Sequence, residues 1–253
     1  MENKTVINIE MVIEYIEHHL DGKLDLETIA LDSHYSKYHL HRMFTSTTGM
    51  TIHDYVQRRQ LTEAAKLLVF SRKSILEVAL ICGYESQQSF SSAFKSMYKI
   101  TPAEYRNHQE FYPLQLRFTL CRDTKSKEFT RDDICLAEQG DIPAWMELMR
   151  LVIDGYPVMN EDDYQKEITK CIREKRGLVL KQNQILIGAM AYSTSPCSID
   201  FLGIHPQYRN RGLQKLFLDM LLNELLPGQE VAMTTYREGD KADTGYRSLL
   251  KQL

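Results

Sequence analysis

The chain has 253 residues, of which 43% are apolar and 26% charged, and its formal net charge is −3. This composition is typical of one or two globular domains, and it excludes a chain disordered throughout and bulk binding of polyanions. No apolar stretch approaches the ~20 residues that span a bilayer, and five scattered cysteines indicate reduced thiols, so we expect a cytoplasmic protein with no membrane partner.

Charge is distributed unevenly along the chain. Residues 1–32 hold two Lys against eight Asp and Glu, a net of −6, whereas residues 33–108 hold ten Lys and Arg against five Asp and Glu, a net of +5. A basic block in a near-neutral chain is a local electrostatic footprint, as a nucleic-acid-binding domain would have. Charge alone is equally consistent with solvated helix faces.

The first 111 residues carry the signals of consecutive helices. Apolar residues recur at helical spacing, and Ser, Thr or Asp precedes most of these stretches in the N-cap position. The pattern predicts helices over 8–20, 26–33, 37–48, 52–68, 75–82, 86–98 and from Pro102, with N-caps at Asp25, Ser36, Thr51, Ser74 and Thr101.

Two stretches of this region repeat each other at an interval of about 50 residues. Residues 29–35 match 78–84, and 36–44 match 86–94 with one extra residue in the second turn. Each copy is a short helix, a tight turn and a second helix, which is helix-turn-helix spacing. The second helices present polar edges in the types that read bases and phosphates. The alternative is a helical bundle with polar surfaces.

The residues also resemble a known family. Segments 36–44 (SKYHLHRMF), 83–90 (GYESQQSF) and 101–106 (TPAEYR) look like the AraC/XylS DNA-binding domain, in its MarA/Rob-like form, over about residues 8–108. Ser92 departs from the arginine found there in some members, which bears on specificity at the second groove. The resemblance implies double-stranded DNA and RNA polymerase as partners, a monomer or weak dimer, and DNA contacts from Lys37, Tyr38, His41, Arg42, Gln87, Gln88, Ser92 and Lys95.

After residue 111 the pattern changes. Apolar side chains alternate over 114–120, which predicts a strand with one buried face, and 123–133 is a polar linker. Helices and strands then alternate, which predicts an α+β domain. We therefore divide the chain into 1–111, 112–133 and 134–253. The last part has predicted strands at 134–137, 177–181, 185–193, 198–204 and 230–236, and helices at 142–153, 161–175, 213–226 and 241–253.

A strand–loop–helix unit lies near the centre of that domain. A basic loop that opens a helix suits a phosphate, although a solvated turn has the same composition. Residues 203–217 (GIHPQYRNRGLQKLF) resemble the pyrophosphate loop of the GNAT N-acetyltransferase family, with Gln214 departing from the usual Gly or Ala. The resemblance implies a GNAT-like domain that binds acetyl-CoA or another acyl-CoA through Phe201, Leu202, Gly203, Ile204, Arg209, Asn210, Arg211, Gly212, Leu213 and Gln214.

Catalysis by this domain is left open by the sequence. The family's acyl transfer uses a base and often a tyrosine, but Leu250 holds the place of that tyrosine, Tyr246 lies one turn earlier as a packing residue, and the last two strands of the fold are missing. Asp200 and Glu138 are the candidate bases. We expect a DNA-binding regulator whose second domain senses an acyl-CoA or another ligand. The alternatives are a regulator with a working N-acetyltransferase and a CoA-free interaction module.

Overall fold

The computed structural model describes residues 2–121, 127–152, 160–183, 185–243, 247 and 251. The chain divides into two compact units. The first is built mainly from Met1–Thr124 and also includes Glu238–Thr244; the second is built mainly from Lys125–Val152 and Met159–Arg237.

The described residues of the first unit form helices joined by short turns. Its helices are α1 (Glu2–His18), α2 (Leu26–Asp32), α3 (Lys37–Thr48), α4 (Ile52–Phe70), α5 (Ile75–Ile81), α6 (Gln87–Tyr98) and α7 (Pro102–His108). Each predicted N-cap is confirmed, because the side chain accepts the backbone N–H three residues on and so satisfies one of the unpaired amides of the first turn. The confirmed caps are Asp25, Ser36, Thr51, Ser74 and Thr101. Ser86, predicted as the first residue of its helix, is the N-cap of α6 and accepts the N–H of Ser89 in the same way.

Helix α1 begins earlier than the sequence analysis predicted, at Glu2 instead of residue 8. The buried stripe of this helix runs through Val6, Ile9, Ile13 and Ile16, a spacing that continues the helix toward its N-terminus. Met11, which the predicted apolar face included, is 67% exposed.

The predicted strand at 114–120 is irregular, and among the described residues no strand pairs with it. The backbone N–H groups of Leu114 and Gln115 donate to Oγ1 of Thr62 on α4, at 3.1 and 3.0 Å. The N–H of Phe118 donates to the Tyr55 hydroxyl at 3.4 Å. The predicted buried face is confirmed in part: Leu114, Phe118 and Leu120 are buried and Leu116 is half-buried, but Gln115, expected on the opposite face, is buried as well. It packs on a helix, whose side-chain hydroxyls take the place of strand carbonyls as acceptors.

The turn of the second repeat fits closely against the loop between α1 and α2. Gly83 has φ +80°, and a Cβ at this position would lie 2.4 Å from the backbone oxygen of Gly22. At the matching turn of the first repeat, His34 adopts φ +56° with a full side chain. Glycine is therefore required at residue 83 mainly because of the close approach to Gly22, and less because of the backbone angle.

We expect Gly83→Ala to lower the free energy of unfolding of the first unit by more than about 2 kcal/mol, because the backbone must shift and also holds alanine at positive φ. Gly22→Ala is the matched control, since a Cβ there meets nothing within 4 Å, and we expect it to change stability by less than about 0.5 kcal/mol. Urea denaturation followed by circular dichroism compares the two. Equal midpoints for the two variants would contradict this account of the turn.

The second unit is a mostly antiparallel sheet with helices on its faces. Strands lie in the order β1-β2-β3-β4-β5; neighbours are antiparallel except β4 and β5, which are parallel. The predicted hairpin at 182–185 is confirmed by the pairing of Gln182 with Ile185. The elements are β1 (Ile134–Leu136), α8 (Ile142–Val152), α9 (Glu161–Arg173), β2 (Gly177–Gln182), β3 (Ile185–Thr194), β4 (Cys197–Ile204), α10 (Leu213–Met220) and β5 (Ala232–Met233).

Three predicted elements of this unit differ in the structure. The strand expected over 230–236 is reduced to Ala232–Met233, because β5 pairs only with the beginning of β4. The helix expected over 213–226 is α-helical as far as Met220 and continues as a π-helical turn at Leu221–Leu225. The N–H of Leu226 closes that turn by donating to the Leu221 carbonyl at 2.8 Å. Of the helix expected over 241–253, Lys241 and Ala242 form a turn, whereas Arg247 is helical and its carbonyl accepts the N–H of Lys251 at 3.1 Å. Tyr246 and Leu250 lie outside the described residues.

One face of the sheet packs on α10. Leu202 and Ile204 of β4 and Phe217 of α10 share a buried apolar cluster. The ring of Phe217 lies against Gly188, where a Cβ would approach it to 2.7 Å, so the small residue lets the helix come close to the sheet. In neither unit does a described helix have the length and apolarity needed to cross a membrane.

Candidate nucleic-acid interface and the loop before α10

Helices α3 and α6 hold their predicted DNA contacts at equivalent positions. Each is 12 residues long and begins directly after a capping serine. Counting from the cap, Tyr38 matches Gln88 and Arg42 matches Ser92. The two helices therefore present equivalent edges that carry different side chains. Those of α3 are bulkier and more basic than those of α6.

The predicted contact residues lie on the outer edges of both helices. Tyr38 is 73% exposed, and the Lys37 ammonium lies 5.7 Å from the centre of its ring. His41 is half-buried. The opposite edges, which include Phe44 and Phe94, are fully buried. The remaining predicted contacts are exposed: Lys37, Arg42, Gln87, Gln88, Ser92 and Lys95.

The same turn positions each exposed edge. The N–H of Tyr35 donates to the Ala30 carbonyl at 3.0 Å, and the N–H of Tyr84 donates to the Ala79 carbonyl at 3.0 Å. Both alanines are buried, which lets the second helix of each motif cross closely over the first. The sequence repeat is thus a repeat of structure.

Helix α4 joins the two motifs. It has 19 residues, so it spans about 28 Å at the rise of an α-helix. That length is similar to the ~34 Å that separates successive major grooves on one face of DNA. A single rigid helix between two motifs therefore suits binding of neighbouring grooves.

A buried polar network that the sequence analysis missed fixes α4. Arg59 donates to both carboxylate oxygens of Glu17 on α1, at 2.8 and 2.7 Å, and to the carbonyl of Gln115 at 2.9 Å. The Tyr55 hydroxyl donates to the same Glu17 carboxylate at 2.7 Å. The one signal in the sequence is the adjacent pair Arg58-Arg59 in the middle of a helix whose other turns carry buried apolar residues.

The network is reflected in the acid–base behaviour of its members. Burial by itself lowers the pKa of Arg59, but the hydrogen bond and the charge of Glu17 outweigh burial, so that the pKa lies above its usual value. Burial, and next the Glu17 charge, raise the pKa of Tyr55 well above its usual value. The guanidinium therefore stays charged, and the phenol neutral, across the physiological pH range.

In the second unit, the loop before α10 forms a short 3-10 helix at Pro206–Arg211 and ends at Gly212, which has φ +69° and stands at the N-terminus of α10. A Cβ at Gly212 would meet nothing within 4 Å. The Arg211 guanidinium lies 5.0 Å from the centre of the Tyr208 ring. Arg209 is half-buried, Asn210 and Gly212 are exposed, and Leu213 and Gln214 are buried.

Strand β4 leads into this loop, and it pairs with its two neighbouring strands over different lengths. It pairs with β3 along its length, but β5 pairs only with Ser198 and Ile199. Among the described residues, no strand pairs with 200–204 on the β5 side. Leu202, Gly203 and Ile204 are buried, and Phe201 is half-buried.

The two candidate bases are not brought together. Asp200 accepts hydrogen bonds from Ser193 at 2.6 Å and Ser198 at 2.7 Å, and Arg176 lies 3.9 Å away. Glu138 is exposed and follows β1, which β2 and β3 separate from β4. Three strand spacings amount to about 14 Å, so the two carboxylates do not form a pair.

Two helix-turn-helix motifs on one linker helix, with polar and basic side chains exposed on the second helix of each, define a DNA-binding transcriptional regulator. A helix-turn-helix domain model matches residues 28–108. The chain is similar to the TetD protein of transposon Tn10 from Escherichia coli, with 42% identity over 101 residues, which are 40% of this chain and 73% of that protein. It belongs to the AraC/XylS family of regulators.

Two further relatives show how far the likeness extends. The regulatory protein SoxS of Salmonella typhimurium is 38% identical over 99 residues, which are 39% of this chain and 92% of that protein. The transcriptional regulator Rob of Salmonella typhimurium is 35% identical over 145 residues, 52% of this chain. That match spans half the length of Rob.

Proposed function

We propose that this regulator reads two successive major grooves through α3 and α6, and that its second unit binds acetyl-CoA or another acyl-CoA and thereby changes its affinity for DNA. The observation that carries the ligand proposal is the basic loop Pro206–Arg211, which follows β4 and ends at Gly212, at the N-terminus of α10. The N–H groups of the first turn and the positive dipole end of a helix are the features that a diphosphate requires.

The residues present fit such a group. In the proposal, the backbone of Phe201–Ile204 pairs with the pantetheine amides. Backbone N–H groups at Gly212, Leu213 and Gln214 face the pyrophosphate, and the Arg209 and Arg211 side chains, with Asn210, add charge and donors. Gly212 supports the proposal because its missing side chain leaves open space where a phosphate would approach the backbone.

Sensing is the proposed role, in preference to turnover. Asp200 is held by two serine hydroxyls, and Glu138 lies three strand spacings away, so neither stands as a prepared base. A working N-acetyltransferase remains the second candidate, and single-turnover assays with amines after acetyl-CoA binding separate the two. A third candidate is a CoA-free interaction module, for which the chain would bind a protein and no acyl-CoA.

Acetyl-CoA titration by calorimetry tests the site. We expect the wild-type chain to bind, and Gly212→Asp to lose at least about tenfold in affinity, because its carboxylate would stand where the pyrophosphate is proposed to bind. Gly228→Asp is the matched control: Gly228 has φ +71° and the same open surroundings, but it lies beyond the far end of α10.

Three outcomes decide the ligand proposal. Binding that Gly212→Asp loses and Gly228→Asp keeps supports it. Equal loss in both variants would mean that the added charge or strain acts from a distance. No binding by the wild-type chain would contradict the acyl-CoA role and favour the interaction module.

For the DNA-bound protein we propose RNA polymerase as a protein partner, a monomeric or weakly dimeric state, and a cytoplasmic location. The surface that supports a protein partner is on α5, where Leu76 and Leu80 lie one turn apart and are 46% and 54% exposed. These leucines are on the first helix of the second motif, not on the reading helix, so they stay available when α6 is in the groove.

A further inference from the structure

A segment that follows β5 in the chain belongs to the helical unit. Residues 238–243, here named the clasp, lie in the range Glu238–Thr244 that the first unit includes. Asp240 organises the clasp, because its carboxylate accepts the N–H of Ala242 at 2.9 Å and its carbonyl accepts the N–H of Asp243 at 3.1 Å. The clasp is thus a folded turn with fixed neighbours.

The clasp contacts the helix that links the two motifs. Arg58 of α4 is 2% exposed, and its Nη2 donates to the Ala242 carbonyl at 2.5 Å. Ala242 itself is fully buried. A buried guanidinium needs acceptors from its surroundings, and here one of them comes from a residue 184 positions further along the chain.

The clasp also contacts the end of the second reading helix. Lys99 is the C-cap of α6, with φ +67°, and its ammonium donates to the Ser96 carbonyl at 2.7 Å. The same ammonium forms an ion pair with the Asp240 carboxylate at 2.5 Å. One short segment therefore joins the middle of α4 to the C-terminal end of α6.

We propose that the clasp is the regulatory element of this protein: docked on α4 and α6, it holds the second motif in the orientation that reads DNA. The clasp is joined to β5 by only four residues, 234–237. In the part of the inference that rests on the proposed acyl-CoA site, a ligand bound at β4 and the loop before α10 alters β5, which pairs with β4, and so changes docking of the clasp. A ligand acts in this way only if it has different affinities for the two states.

The test uses the full chain and two duplexes. The first is a duplex that the wild type selects from a randomised library. The second is the same duplex with a scrambled sequence at the bases that α6 protects. Ala242→Gln places a larger neutral side chain at the buried position, and Lys241→Gln is the matched control at its exposed neighbour. We expect scrambling to cost the wild type and Lys241→Gln at least about tenfold in Kd, but Ala242→Gln less than about threefold.

The pattern of losses separates this role from simple stabilisation. General destabilisation would weaken binding to both duplexes by the same factor, whereas release of the clasp removes the contribution of α6 alone. Hydrogen exchange at 238–243 verifies release. If the segment is released and discrimination stays at the wild-type value, the proposal is wrong. If Ala242→Gln does not fold, Asp240→Asn removes the ion pair, with Asp219→Asn as its control for the loss of one exposed charge.

A final comparison measures coupling to the ligand, with acetyl-CoA as the probe. If acetyl-CoA binds and changes the Kd for DNA in the wild type but not in Ala242→Gln, the clasp carries the signal. If the change is the same in both, the clasp is not the route. If acetyl-CoA does not bind, the proposed acyl-CoA site fails, and the discrimination experiment still decides the role of the clasp in DNA reading.

Discussion

Arg42→Ala and Gln88→Ala are each expected to weaken binding to the selected duplex by about 1–3 kcal/mol, equivalent to roughly five- to 150-fold in Kd. Both side chains are exposed on the outer edges of α3 and α6. In the proposed docking, Arg42 forms bidentate bonds with a guanine and Gln88 with an adenine, so each loss also relaxes sequence preference at one position. Fluorescence anisotropy on duplexes with single base substitutions measures both effects.

Lys95→Ala is the control for this pair of variants. Lys95 is exposed one turn beyond the base-reading positions of α6, and we predict a phosphate contact. Its loss should weaken binding to every duplex by a similar factor and reduce the slope of log K against log salt by about 1. Wild-type affinity and specificity in both Arg42→Ala and Gln88→Ala would show that α3 and α6 do not read the bases.

Glu17→Gln is expected to lower the free energy of unfolding of the first unit by about 3–5 kcal/mol, the cost of breaking a buried ion pair from one side. The side chains of Arg59 and Glu17 are only 8% and 11% exposed, so the guanidinium cannot exchange its partner for bulk water. Tyr55 would lose the charged acceptor of its hydroxyl as well. Urea denaturation followed by the helical circular dichroism signal measures the change.

Glu14→Gln provides the comparison, since Glu14 lies one turn earlier on α1 and pairs with Arg117. Those side chains are 48% and 50% exposed, and exposed pairs contribute less than about 1 kcal/mol. In Glu17→Gln the Arg59 guanidinium keeps a carboxylate partner in Glu63, at 3.2 Å, whose side chain is 37% exposed. A double variant with Arg59→Met removes the incompletely paired charge and should recover part of the stability that Glu17→Gln loses. Similar losses for Glu17→Gln and Glu14→Gln would mean that burial does not set the strength of the Arg59 pair.

Local signals in the sequence were sufficient to predict the helical unit. An N-cap such as Ser36 or Ser86 acts within four residues, and the buried pair Phe90 and Phe94 follows from helical spacing. The repeat at 50 residues placed the equivalent edges of α3 and α6 correctly, because two copies of one local pattern fold in the same way. The base contacts assigned to those edges stay predictions until the DNA experiments are done.

Segments whose partners are distant in the chain were harder to predict. The alternation over 114–120 identified most of the buried side chains but not the burial of Gln115 or their neighbour, because period-two burial arises equally against a strand and against a helix that supplies hydroxyl acceptors. In the second unit, the strand expected over 230–236 shortened to two residues, since its length depends on how much of β4 it meets. The acyl-CoA site stays a proposal, which calorimetry tests.

The sequence by itself determined the helices, their caps, the repeated motif and the exposed polar edges, since each depends on interactions among residues a few positions apart. Only the tertiary structure showed the Glu17–Arg59 pair, the contact of Gly83 with Gly22 and the docking of Ala242 on Arg58. In each of these contacts the two residues are separated by between 42 and 184 positions in the chain, and the packing of whole elements brings them together. A single charged or small residue has no periodicity, and so nothing in the sequence indicates which distant partner it will contact.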